Sequence, residues 1–84
     1  MIKLQTRQLL DQLQSNETLK NRGFFVSHIP DGRIVIDRCG HVHGIWDHDG
    51  ENYVWVSPSS SEPMFHTGDA PSALLYTLVV LGRV

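Results

Sequence analysis

The chain has 84 residues, 40% of them hydrophobic and 19% charged, with a formal net charge of −2. These values fit a single globular domain spanning residues 1–84, near the lower size limit for an unstapled core, and they exclude a disordered polymer. One cysteine cannot close an internal disulfide, which suits a reducing compartment. No apolar run reaches the roughly 18 residues needed to span a bilayer, and the first residues lack a signal-peptide pattern. A cytoplasmic protein with no membrane association is therefore expected.

The charge is uneven. Residues 1–38 carry six basic and four acidic side chains, whereas residues 39–84 carry one basic and five acidic. Net acidity argues against nucleic-acid binding, because phosphate contacts dominate that affinity. Phe24, Phe25, Trp46, Tyr53 and Trp55 could stack on bases, but the basic residues Lys3, Arg7, Lys20 and Arg22 lie away from them.

In chain order, Leu9, Leu10 and Leu13 form a helical stripe, with Ile2 one heptad before Leu9. Ser15-Asn16 predicts a break, followed by a last turn that ends at Gly23. Four strands follow, at Phe24–Ile29, Arg33–Asp37, His41–Asp47 and Asn52–Ser57. Pro30-Asp31-Gly32 closes the first pair, and Asp49-Gly50 signals a hairpin between the third and fourth strands. A two-residue loop there sets Trp46 against Tyr53 and Gly44 against Trp55, whereas a three-residue loop sets His43 against Trp55. In the former register Val42, Trp46, Tyr53 and Trp55 share one face, and His41, His43, Ile45, Val54 and Val56 the other.

Ser57 to Gly68 reads as a long loop and a mobile contact. Asp69 is then an N-cap, Pro71 fits the first turn, and a helix runs from Ala70 to Leu81 before Gly82. The expected fold is α+β: a four-stranded antiparallel β-meander flanked by an N-terminal and a C-terminal helix, in the order α-β-β-β-β-α.

Two features point toward function. The last helix is apolar nearly all round, which predicts a homodimer or a protein partner covering Leu74, Leu75, Leu78, Val79 and Leu81. Trp46 and Trp55 are candidate aromatic anchors for the same contact. The second feature is Cys39, His41 and His43, spaced two apart and hence on one face of an extended strand. They could hold zinc or another transition metal with His48, or with Asp47 or His66, completing the shell. Three such positions span about 13 Å, so only neighbouring pairs could chelate one ion.

Calcium is excluded. Aligning Gly50 with the glycine of an EF-hand loop puts Ile45 and Val56 at ligand positions. Cys39 and His41 stand about 7 Å apart along a strand, too far for a thiolate–imidazole pair. No nucleophile elbow, phosphate loop or paired metal motif occurs. The sequence thus favours a non-enzymatic interaction module without a cofactor, serving as a regulator, inhibitor or accessory subunit. The alternative is a metal-binding or metal-sensing protein built on Cys39, His41 and His43.

Overall fold

The computed structural model describes residues 4–58 and 63–83. Helix α1 spans Leu4–Gln14 and buries Leu9, Leu10 and Leu13, the stripe read from the sequence. Its expected break falls at Ser15-Asn16. Asn16 then caps a separate short helix, α2 (Glu17–Asn21), its side-chain oxygen accepting from the Leu19 amide. The fresh start explains how Leu19, off the α1 stripe, still reaches the core. Ile2 lies outside the described residues.

Five strands follow: β1 (Phe25–His28), β2 (Ile34–Arg38), β3 (His41–His48), β4 (Tyr53–Val56) and β5 (Pro63–Thr67). Consecutive strands pair antiparallel in the order β1-β2-β3-β4-β5. The meander is as expected, but it has one strand more. Pro63–Thr67 lies within the segment read as a loop, where serine and proline outweigh the strand signal of Met-Phe-His-Thr. Pairing with β4 supplies the missing stabilisation, setting Tyr53 against Thr67, Val54 against His66 and Trp55 against Phe65. Pro63 sits on an edge strand, where its missing N–H is tolerated. The expected mobility of the preceding serine-rich segment concerns residues 59–62, which lie outside the described residues.

The β3–β4 register also differs from both expected ones. Trp46 pairs with Trp55 and His48 with Tyr53, so Asp49 to Asn52 form a four-residue loop. The cause is the Asp49 side chain, which accepts from the Glu51 and Asn52 amides and makes the wider turn favourable. Those hydrogen bonds also hold the Asp49 carboxyl below its ordinary pKa.

Helix α3 (Ala70–Leu81) starts at Asp69, whose carboxylate accepts from the Ser72 amide, and stops at Gly82. It buries Ala70, Ala73, Thr77 and Leu81 between α1 and the sheet. The small Thr77 lets it approach the Trp46 indole closely. Trp46 Nε1 donates to Thr77 Oγ1 at 2.8 Å, and the Thr77 hydroxyl donates to the Ala73 carbonyl at 2.8 Å. Two further tethers fasten α1. Tyr53 Oη donates to the Gln5 carbonyl at 2.7 Å, and Gln14 Nε2 donates to the Val26 carbonyl on edge strand β1 at 3.0 Å. The three helices thus lie on one face of the sheet, and no helix among the described residues covers the other.

Gly44 is required by packing. A Cβ there would overlap Cζ2 and Cη2 of the Trp55 indole, which lies over the glycine from the adjacent strand. Gly44→Ala is expected to destabilise the fold by about 1–3 kcal/mol, because neither backbone nor indole can withdraw freely. Thr77→Val keeps the shape but leaves the indole N–H buried without an acceptor, costing about 1–3 kcal/mol. Urea denaturation of both variants against the parent measures these losses as a lowered midpoint.

Candidate functional site

The Cys/His stretch is not the uniform strand that its spacing suggests. β2 and β3 are joined by Cys39-Gly40, with φ of 55° and 81°, the two left-handed residues of a tight type I′ connection. Cys39 is therefore a turn residue, exposed, and its position is one that favours Asn or Gly. His41 pairs with Arg38 and is exposed. Pairing then jumps from Asp37–Val42 to Ile36–Gly44, so His43 forms a bulge. Its ring meets Phe24 edge-on at 5.4 Å, and the Arg38 guanidinium lies over the same Phe24 ring, 4.6 Å from its centre. The bulge also displaces Val42 from the core face, where the alternation placed it, to an exposed position.

His48 lies at the far end of β3, about 23 Å from His41 at the usual strand rise. It is buried, edge-on to Tyr53 at 4.8 Å, and its Nδ1 accepts from the Gly50 amide. His48 thus belongs to the loop rather than to the cysteine turn. Asp47 and His66 stand on the open face of the sheet, in one cross-strand row with Val54 between them. Among the described residues, no three of the His, Cys, Asp or Glu side chains gather closely enough to hold one metal ion.

The expected contact residues divide. Leu75 and Val79 are 63% and 51% exposed, one turn apart on the outside of α3. Leu74 and Leu78 are half-buried against the core, and Leu81 is inside it. Trp46 and Trp55, at 0% and 2% exposure, are core residues and not surface anchors. They lie against each other at 5.2 Å, with Tyr76 and Phe65 packed around Trp46. Two hydrogen-bonded strands under a helix bring those rings together, which is a tertiary outcome.

A further apolar surface is the open face of the sheet, whose central side chains are half-buried. The core positions Ile34, Ile36, Trp46 and Trp55 alternate with Val35, Ile45, Val54 and Val56, so these four project away from the helices. Val35, Ile45 and Val56 lie in one row across β2, β3 and β4. Phe25, 65% exposed, borders the patch on β1, and Met64, 62% exposed, on β5. An antiparallel sheet with one free face ordinarily alternates apolar-in with polar-out, and this one departs from that at Val35, Ile45, Val54 and Val56 while keeping polar groups outward at Ser27, Asp37, Asp47 and His66. The signal is present in the sequence, since β2 and β4 are apolar at successive positions, as strands covered on both faces are.

A shallow cleft of about 290 Å³ lies between α1, α2 and β1. Its walls are leucine, phenylalanine and valine, with Gln14 and Lys20 as polar lining, and Gln14 is already bound to Val26. That lining offers neither a carboxylate nor an imidazole for proton transfer. No helix among the described residues is long and apolar enough to cross a membrane.

The turn geometry makes a direct prediction. Cys39→Asn places a residue that tolerates φ > 0 ahead of Gly40 and is expected to stabilise the fold by about 0.5–1 kcal/mol. A thermal melt should show the gain as a higher midpoint; an unchanged or lower one would mean that the thiol makes a contact worth more than the backbone relief. Comparisons with known protein families, with curated proteins and with solved structures find no match to this chain, so its function is read from this geometry.

Proposed function

We propose that this chain is a non-enzymatic protein-interaction module, a regulator, inhibitor or accessory subunit, that binds through the open face of its sheet. One observation carries the reading: Val35, Ile45, Val54 and Val56 project from the face opposite the helices. Branched apolar side chains gain from contact with another surface and gain nothing from water. A contact centred there would have an apolar middle, with Asp37, Asp47 and His66 at its rim. The exposed Leu75 and Val79 on α3 form a second apolar spot on the opposite layer.

Ile45 stands at the centre of the apolar row, with Val35 on one side and Val56 on the other. Ile45→Lys is expected to leave the core intact and weaken binding by about ten- to a hundredfold, from the roughly 1.5–3 kcal/mol that a buried isoleucine contributes. The test is to identify the proteins, this chain included, that co-purify with it and to reconstitute each complex from pure components. Leu75→Asp with Val79→Asp serves as the comparison. Loss with Ile45→Lys alone supports the sheet face; loss with the helix pair alone moves the contact to α3.

A further inference from the structure

We infer that the occupant of the open sheet face is a second copy of this chain, packed face to face about a two-fold axis parallel to β4. This rests on the interaction reading above and names its partner. The argument is the charge pattern that the register imposes. Asp47, Val54 and His66 form one row across β3, β4 and β5, an acid and an imidazole placed symmetrically about Val54. The next row on the same face runs Ile45, Val56, Pro63 across the same strands.

A two-fold contact must be self-complementary, since each residue meets the copy of another. Rotation about an axis along β4 lays Val54 on Val54 and Val56 on Val56. It sets Asp47 against His66 twice, once from each side, and Ile45 against Pro63 twice. Every apposition across β3, β4 and β5 is then apolar on apolar or carboxylate on imidazole, while Val35 on β2 lies beyond the overlap because β5 is the edge strand. An axis along β3 would set Asp47 against Asp47, a like-charge contact that is destabilising. The distance agrees as well. Packed sheets lie about 10 Å apart, a gap that a carboxylate and an imidazole reaching toward each other span with one hydrogen bond. Asp47 and His66 are both exposed; Asp47 Oδ1 accepts from the His48 amide at 2.8 Å, which leaves Oδ2 to meet a second sheet.

The test is a charge exchange read by sedimentation equilibrium. The parent chain should sediment at twice its 9.5 kDa mass. Asp47→Lys sets lysine against histidine, and His66→Asp sets aspartate against aspartate. Each variant alone is expected to lose at least tenfold in association, with its circular dichroism unchanged. An equimolar mixture of the two variants should regain a dimer. The lysine introduced in one copy then meets the aspartate introduced in the other, while the unaltered His66 of the first meets the unaltered Asp47 of the second. A parent that stays monomeric at every concentration overturns the second copy as occupant; the interaction reading is judged separately by Ile45→Lys against a different partner. A parental dimer that neither charge change weakens also overturns the proposal.

Discussion

The hydrogen bond from the Trp46 indole to Thr77 organises this structure. It joins the middle strand of the sheet to the middle of α3 inside a buried region, where an unpaired indole N–H would be costly. Thr77 completes the arrangement by donating to the Ala73 carbonyl one turn back, so both polar groups are satisfied. The bond fixes the rotation of α3 about its axis. Ala70, Ala73 and Leu81 are then buried with Thr77, while Leu75 and Val79 face outward. Among the described residues, no buried side-chain nitrogen or oxygen lacks a partner.

Size matching follows from that rotation. The sheet contributes two tryptophans, and α3 meets Trp46 with the small Thr77 while Tyr76 closes edge-on against both indoles. Gly44 extends the same logic within the sheet, since its bare Cα is the floor on which the Trp55 indole lies. At the flank, Tyr76 stacks on Phe65 with ring centres 4.0 Å apart and planes 7° from parallel. That contact draws β5 under the helix and gives the edge strand an apolar anchor. A helix that is apolar nearly all round is thus largely absorbed within its own domain, with Leu75 and Val79 as the exposed remainder.

Because all three helices lie on one side, the sheet has an inner face that the domain buries and an outer face that the described residues leave open. Val35, Ile45, Val54 and Val56 on the outer face are branched and apolar, as the isoleucines of the inner face are, and they are half-buried. Charged and imidazole groups are held to its rows by register rather than scattered, and this order gives the surface an orientation.

Local chemistry was legible in the sequence. The leucine stripe of α1, the Asp69 cap, the break at Ser15-Asn16, the Pro30-Asp31-Gly32 turn and the span of α3 each depend on residues within a few positions of one another. Short-range hydrogen bonds and backbone preferences suffice for them. Four features needed the folded chain: strand β5, the Trp46–Trp55 register, the bulge at His43 and the burial of both indoles. Each is fixed by groups far apart in sequence. Phe65 becomes a strand residue only beside Trp55, and His43 leaves the ladder where Ile36 pairs with Gly44. The evenly spaced Cys39, His41 and His43 therefore became a turn residue, a strand end and a bulge, because spacing along the chain is a spacing in space only while the strand stays regular.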